Sequence, residues 1–132
     1  MPDPNPSRVI IDTNLWVSFL IGKELHQLKD LIVNEQIQLV ISDQLLEELI
    51  LVTSRKKLKK YFDQEKVTEL ITLVSKKVKI KKIDKVCRDP KDDFLLALSK
   101  KAKVDFLITG DKVLLDLKIY GHTQILTVKK FF

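Results

Sequence analysis

Cysteine and glycine are scarce in this sequence, and long apolar runs are missing altogether. The only cysteine, Cys87, cannot form an internal disulfide. With three glycines, the chain contains neither a GxxxxGK[ST] nor a GxGxxG loop, which argues against a nucleotide-cradling site. No apolar run approaches the ~20 residues that a membrane span requires, and the N-terminus has no signal-peptide pattern. These absences favour a cytoplasmic protein without a membrane segment.

The length of the chain predicts a single domain. A chain of 132 residues can bury a sizeable core without disulfides or structural metals. The N-terminal stretch MPDPNPS is predicted to be a flexible leader over residues 1–7, followed by one domain over residues 8–132.

Positive charge is concentrated in lysine-rich clusters. The chain has 24 Lys and Arg against 18 Asp and Glu, a formal net charge of +6. The clusters are RKKLKK at 55–60, KKVKIKK at 76–82, KKAK at 100–103 and the pair at 129–130. Such clusters suit a phosphate backbone. Solvated helix faces and a lysine-protected sheet edge explain them as well, and on charge alone we favour this second explanation.

Short β-like runs alternate with segments of helical periodicity. The predicted strands are 8–12, 37–42, 78–83, 105–109 and 124–128. The predicted helices are two within 14–35 separated near Gly22, then 43–61, 63–77, a helix from Asp89-Pro90 to about Lys103, and a short one after Asp111. This alternation predicts an α/β domain with a mostly parallel, five-stranded sheet and helices on both faces. In such sheets ligands bind outside the carboxyl ends of the strands.

Two of these strands run into an acidic residue. The buried-looking run Val9-Ile10-Ile11 ends at Asp12, and LIT at 107–109 leads through Gly110 to Asp111. Each acid alone has an ordinary explanation as a helix cap or turn former. On parallel strands, however, the two would lie at the same edge of the sheet.

Two predicted helices supply further acids. In the helix after the second strand, Glu48 falls at the margin of the apolar face, whereas Glu47 points away from it. In the helix that Asp89 is expected to cap, Asp92 lies in the first turn and nearer the apolar face than Asp93. A surface glutamate and helix-dipole chemistry are the ordinary alternatives, the latter stabilising by ~0.3–1 kcal/mol per acid.

A cluster of four carboxylates would require a cation. Converging acids repel one another and raise some of their pKa values. Carboxylate oxygens without nearby histidine or thiol ligands favour Mg²⁺ or Mn²⁺ over zinc. Neither His26 nor His122 lies in an acidic motif, and each is predicted to be an ordinary surface or partly packed side chain.

The order of these motifs resembles that of PIN-domain proteins. The matching stretches are VIIDTNLWVS, VISDQLLEELILVTSR, RDPKDDFLLAL and VDFLITGDKVLLDL, which together span about residues 8–117. The chain is most similar to the small prokaryotic PIN proteins described as toxins of toxin–antitoxin pairs.

The resemblance implies a Rossmann-like, three-layer α/β/α fold and a metal-dependent ribonuclease of the cytoplasm. Its Mg²⁺ or Mn²⁺ site would consist of Asp12, Glu48, Asp92 and Asp111, with Asp93 as the substitute for Asp92. A metal-activated water would then attack an RNA phosphodiester. The resemblance also implies an antitoxin partner and a homodimer.

Supporting roles follow from the same motifs. Asn14 of DTN would help position Asp12 or a water, and Thr109 would support the site, while Lys56 and Lys57 would contact RNA. The sequence departs from the family pattern at Val113, where a second acid is common, so that Asp111 would serve alone or with help from Asp116.

Three other functions are compatible with the residues to different degrees. A haloacid-dehalogenase-type phosphatase also ends its first strand on Asp and often carries GDxxxxD, which GDKVLLD at 110–116 matches; Asn14, however, stands where its second acid is needed. A catalytically impaired PIN-like module that binds RNA or protein is suggested by Val113. A phospho-receiver is weaker still, because Asp12 is followed by Thr13 rather than by a second acid.

Overall fold

The computed structural model describes residues 6–21, 24–55, 69, 72–73 and 75–131. Most of the predicted leader, Lys56, Lys57 and most of the predicted helix 63–77 lie outside these ranges. The strands are β1 (Ser7–Ile11), β2 (Ile37–Ile41), β3 (Ser75–Lys77), β4 (Phe106–Ile108), β5 (Ile119–Tyr120) and β6 (Thr123–Leu126). The helices, numbered over the described residues, are α1 (Thr13–Ile21), α2 (Glu24–Val33), α3 (Asp43–Thr53), α4 (Pro90–Lys101), α5 (Lys112–Leu117) and α6 (Val128–Phe131).

The described strands form one sheet in the order β3-β2-β1-β4-β6-β5. All neighbouring pairs are parallel except β5 and β6. The chain moves from β1 towards β3 and then returns through β4 to β6 on the other side of β1. Right-handed crossovers therefore place α1, α2 and α3 on one face and α4 and α5 on the other. The order in which the chain adds strands to the sheet reverses between β1 and β4. Open α/β sheets bind ligands at such a position.

The two central strands are buried almost completely. Val9, Ile10 and Ile11 of β1 and the pair Leu107 and Ile108 of β4 are at most 1% exposed. Helices on both faces require such continuous apolar runs, since neither face of the sheet meets water. The buried centre of the sheet therefore fixes the positions of the residues that follow β1 and β4.

The helix starts follow from local side-chain chemistry. Ser42 caps α3 by accepting a 3.1 Å hydrogen bond from the Leu45 N–H, and Asp89 caps α4 by accepting one of 2.9 Å from the Lys91 N–H. Pro90 opens α4, where its missing N–H costs nothing. The predicted start at Asp89-Pro90 is confirmed. Two helices are described within 14–35, as predicted, and the predicted break near Gly22 lies outside the described residues.

The third strand differs from the prediction. It comprises Ser75–Lys77 rather than 78–83, and the predicted helix 63–77 therefore extends too far. The Val78 N–H still donates to Ile41 O at 2.9 Å, after which the chain leaves the sheet. Val78 and Ile80 alternate as a strand would, and both pack against the core, but they lie beyond the end of the described strand β3. Alternation alone cannot distinguish these two situations.

Over the described residues the sheet has six strands, where about five were predicted. The additional strand, β5, has two residues and pairs antiparallel with β6 through a turn at Gly121, whose φ is +60°. The mostly parallel α/β architecture is otherwise as predicted. None of the described helices is long and apolar enough to cross a membrane.

Candidate active site

Asp12 follows the most buried strand and lies at the reversal point of the sheet. Ile11 is in register with Ile108, so Asp12 and Thr109 leave adjacent strands side by side. The Asp12 N–H continues the sheet by donating to Ile108 O at 3.0 Å. The Asp12 residue is only 5% exposed, and its Oδ1 has no hydrogen-bond partner among the described residues. The positive charge nearest to this oxygen is the Lys91 ammonium, at 3.5 Å. A buried carboxylate oxygen that has a long ion pair and no hydrogen bond is typical of a site that receives a ligand.

The Thr109 hydroxyl connects Asp12 with Asp111. Thr109 is fully buried and donates to Asp12 Oδ2 at 2.8 Å. Its oxygen accepts the backbone N–H of Asp111 at 3.0 Å. Asp111 in turn caps α5, because its Oδ1 accepts the Val113 N–H at 2.9 Å. The two strand-end acids are thus held in one hydrogen-bonded unit.

Lys91 reaches into the acidic site from α4. Its Nζ lies 3.0 Å from Glu48 Oε1 and 3.5 Å from Asp12 Oδ1. Burial lowers the pKa of Lys91, but hydrogen bonding to Glu48 and the charges of both acids outweigh it, so that the pKa stands above its usual value. The ammonium is therefore charged at neutral pH and joins α3 to the end of β1.

Asp92 and Asp93 are both buried, at 2% and 6% exposure, but they face different surroundings. Burial raises the pKa of Asp92 to about 6, and hydrogen bonding with Asp111 and the charges of nearby acids add to the rise. Asp93 instead accepts the N–H groups of Val86 and Cys87 at 2.7 and 2.5 Å. Asp92 belongs with the acidic site, whereas Asp93 anchors the segment before α4.

The remaining predicted residues lie around this centre. Asn14 is exposed and, with Asp12, Lys91 and Asp111, lines a cleft of about 470 Å³. Val113 is 54% exposed, and Asp116 is also exposed. His122 is a surface residue bound to Asp105 at 2.8 Å, whereas the side chain of His26 is outside the described part of the structure.

Lys91 is the feature that the sequence does not predict. Its position between Pro90 and Asp92 gives the side chain the helical phase of an ordinary surface lysine. Its contact with Glu48 joins two helices that lie on opposite faces of the sheet, which a sequence pattern does not show. The only sign of this contact in the sequence is that Lys91 is a basic residue next to a predicted acid, Asp92.

The donor set fits a hard divalent cation. Among the described residues, no three Asp, Glu, His or Cys side chains are grouped closely enough to hold a metal ion as they stand. Carboxylate oxygens are nevertheless the ligands that Mg²⁺ and Mn²⁺ prefer, and Asp12 Oδ1 has no donor of its own among the described residues. The Lys91 ammonium provides positive charge where a cation would lie between Asp12 and Glu48.

Comparison with known proteins agrees with the motif order. A PIN-domain family model matches residues 8–113, most of the chain. No curated protein shows significant similarity to the sequence. The match covers all four predicted ligands, Asp12, Glu48, Asp92 and Asp111, and with them the strands that carry the site. The chain therefore belongs to the PIN-domain family.

Proposed function

We propose that this protein is a metal-dependent ribonuclease that hydrolyses phosphodiester bonds of RNA. PIN domains are generally nucleases and generally use divalent metal ions. The observation that carries the proposal is the buried Asp12 carboxylate, held through Oδ2 by Thr109 while Oδ1 has no hydrogen-bond partner in the described structure. Asp92 and Asp111 interact beside it, and Glu48 is joined to it through Lys91.

Asp12, Glu48, Asp92 and Asp111 are the residues that would hold Mg²⁺ or Mn²⁺. When bound, such an ion orients and activates a water for in-line attack on a phosphodiester and neutralises charge on the leaving oxygen. Thr109 fixes the orientation of the Asp12 carboxylate through Oδ2 and leaves Oδ1 for this purpose. In the metal-free protein the Lys91 ammonium pairs with Asp12 and Glu48 and partly neutralises their charge.

Asn14 and the raised pKa of Asp92 add to the chemistry of the site. Asn14 is exposed and lines the cleft, and its amide group can donate to or accept from a water or a phosphate oxygen. Because burial raises the pKa of Asp92 to about 6, its carboxyl group holds a proton in mildly acidic solution and releases it near neutrality. Single-stranded RNA is the favoured substrate, since its backbone is accessible to the cleft.

We further propose that the protein is the toxin of a toxin–antitoxin pair and acts in the cytoplasm. An antitoxin would bind over the cleft, and the chain would form a homodimer. Lys56 and Lys57 remain predicted RNA contacts. These proposals rest on the similarity of the four motifs to those of prokaryotic PIN toxins.

A PIN-like binding module without catalysis is the second candidate. Two observations favour it: the absence of a ready metal-binding group among the described residues, and the Lys91 ammonium between Asp12 and Glu48. In that case the Lys91 ion pairs are a permanent part of the structure. The phosphatase suggested by GDKVLLD gains no support, because the family match is to the PIN domain.

RNA cleavage in Mn²⁺ distinguishes the two candidates. A fluorescently labelled, unstructured RNA is incubated with the wild type, with Asp12→Asn and with Glu48→Gln, and EDTA serves as the metal-free control. Glu47→Gln is the matched variant, since Glu47 is exposed next to the half-buried Glu48. We expect the wild type and Glu47→Gln to cleave and the other two to be inactive. Equal cleavage by Asp12→Asn would disprove the proposed site, and RNA binding without cleavage by the wild type would favour the module.

A further inference from the structure

A second charged feature lies at the opposite end of α4 from the acidic site. Two cavities of about 390 and 340 Å³ adjoin there, because Lys100 and Tyr120 line both. We call them together the lysine groove, defined by Lys81, Lys82, Lys100, Lys101, Lys103 and Tyr120. Asp84 is the only acidic residue that lines either cavity in the described structure.

The fold brings together two clusters that are distant in sequence. Lys100 and Lys101 occupy the last turn of α4, and Lys103 follows it. Lys81 and Lys82 come from the segment between β3 and α4, which returns along this helix. Tyr120 of β5 lies between the two cavities as their shared aromatic residue. Neither cluster alone predicts this convergence.

Helix electrostatics account for only part of the groove. Cations at a helix C-terminus are stabilising, which explains Lys100 and Lys101. Lys81 and Lys82 belong to another segment, and none of the five lysines forms an ion pair with a described acid. Like charges around one cavity repel each other. A bound polyanion would therefore reduce the electrostatic repulsion among these lysines.

We propose that the lysine groove is an RNA-binding site separate from the acidic cleft, in which the five lysines contact the phosphate backbone and Tyr120 stacks on a base. The proposal rests on the proposed ribonuclease function for the identity of the polyanion. Asp92 and Lys100 are eight residues apart on α4, about 12 Å along the helix axis. Along the helix axis this separation equals the length of about four nucleotides of an extended strand, at roughly 3.4 Å per phosphate.

The composition of the groove favours RNA over an acidic protein. Protein–protein interfaces are depleted of lysine and enriched in arginine, methionine and several aromatic residues at their centre. A lysine-lined groove with a single aromatic platform is the arrangement by which proteins track a single-stranded backbone. The described lining contains no arginine and no methionine.

The test measures RNA binding without metal, so that cleavage plays no part. Anisotropy of a labelled, unstructured RNA is titrated in EDTA with the wild type, Lys100→Gln/Lys101→Gln and Lys129→Gln/Lys130→Gln. The second pair is exposed, outside the groove, and removes the same charge. For the groove pair we expect a loss of about 25-fold at 0.1 M salt, and a salt-dependence slope smaller by about 1.4, since each single-strand phosphate contact contributes about 0.7. The control pair should bind nearly as the wild type does.

Tyr120 provides an independent variant that leaves the charge unchanged. Tyr120→Phe should keep the affinity, whereas Tyr120→Leu should lose about fivefold or more, because base stacking on an aromatic ring contributes ~1–3 kcal/mol. Circular dichroism checks that all variants are folded. Equal losses for the two lysine pairs would show that only net charge matters and would overturn the proposal. Unchanged RNA affinity together with lost binding of a polyglutamate probe would overturn it in favour of an acidic protein partner.

The outcomes for the groove and for the ribonuclease are separable. If the wild type binds RNA through the groove in EDTA but does not cleave it in Mn²⁺, the proposed function fails and the groove stands. If the wild type cleaves RNA and the two lysine pairs bind it equally, the groove fails and the ribonuclease stands.

Discussion

The Thr109 hydroxyl donates a 2.8 Å hydrogen bond to Asp12 Oδ2, and the same oxygen accepts the N–H of Asp111. Thr109 is fully buried and Asp12 nearly so, so water cannot replace this bond. The Thr109 hydroxyl therefore orients the Asp12 carboxylate and also fixes the backbone that leads to Asp111. This relationship makes Thr109 a positioning residue rather than a ligand.

Replacing Thr109 with valine should disturb both stability and metal binding. The methyl group keeps the shape of the side chain but leaves a buried carboxylate oxygen and the Asp111 N–H unsatisfied. We expect a loss of about 1–3 kcal/mol in the free energy of unfolding, measured by urea denaturation, and weaker Mn²⁺ binding by calorimetry. Thr109→Ser retains the hydroxyl and should restore most of both. Wild-type Mn²⁺ affinity in Thr109→Val would contradict the positioning role.

Lys91→Met tests whether the ammonium and the metal occupy the same site. Without the ammonium, Asp12 and Glu48 lose their partner, and the metal-free protein should be less stable by about 1 kcal/mol, a modest loss because Lys91 and Glu48 are partly exposed. Mn²⁺ no longer competes with Lys91, so its affinity should rise about fivefold, equivalent to about 1 kcal/mol. Lys112→Met, which changes an exposed lysine of α5, is the control. Lower Mn²⁺ affinity in Lys91→Met would show that the ammonium does not compete.

Asp92 should make the stability of the metal-free protein depend on pH. Because its folded-state pKa is raised from 3.8 to about 6, the folded state binds a proton more tightly than the unfolded state does. The stabilisation is complete below about pH 4 and is lost as the pH rises through about 6. Asp92→Asn removes this dependence and should be more stable than the wild type at pH 7.5 by about 1–3 kcal/mol.

Urea denaturation in EDTA at pH 4.5, 6 and 7.5 measures this difference. The advantage of Asp92→Asn should shrink as the pH falls through 6. Asp93→Ala is the contrasting variant, since it removes the acceptor of two backbone N–H groups and should destabilise at every pH. A constant difference between Asp92→Asn and the wild type would mean that Asp92 does not titrate in this range.

Local chemistry explains which parts of the site were predictable from sequence. Asp12 and Asp111 follow apolar runs, and parallel pairing of those runs is enough to bring them to one edge. Helical phase correctly predicted that Glu48 lies at the margin of the buried face of α3 and that Asp92 lies on the buried side of α4. The catalytic and metal-binding roles of these four acids remain predictions.

The features that were missed depend on how distant elements pack. Lys91 contacts Glu48 although α3 and α4 lie on opposite faces of the sheet, and no local pattern contains that relationship. The third strand was misplaced because Val78 and Ile80 alternate beyond the end of the described strand β3. The lysine groove requires residues 81–82 and 100–103 to meet, and the sequence shows them only as two separate clusters.

Lys103 occupies a backbone conformation that favours glycine. Its φ is +52°, and the Val104 N–H donates to Ser99 O at 2.9 Å, which together form a Schellman-type end to α4. A residue with a Cβ is strained in this left-handed region, and glycine is the usual occupant. Lys118, the C-cap of α5, also has a positive φ of +60°, with a ψ of −49°, but it lines neither cavity of the lysine groove.

Lys103→Gly and Lys118→Gly therefore form a matched pair. Each relieves a positive φ and removes one charge, so each should raise the free energy of unfolding by about 0.5–1 kcal/mol, measured by urea denaturation. Only Lys103 lines the groove, and only Lys103→Gly should weaken RNA binding in EDTA, by about fivefold at 0.1 M salt. If both variants are more stable than the wild type and only Lys103→Gly loses RNA affinity, the charge of Lys103 contributes to RNA binding in the lysine groove. Equal RNA affinity in the two variants would leave the strained lysine without a role in binding.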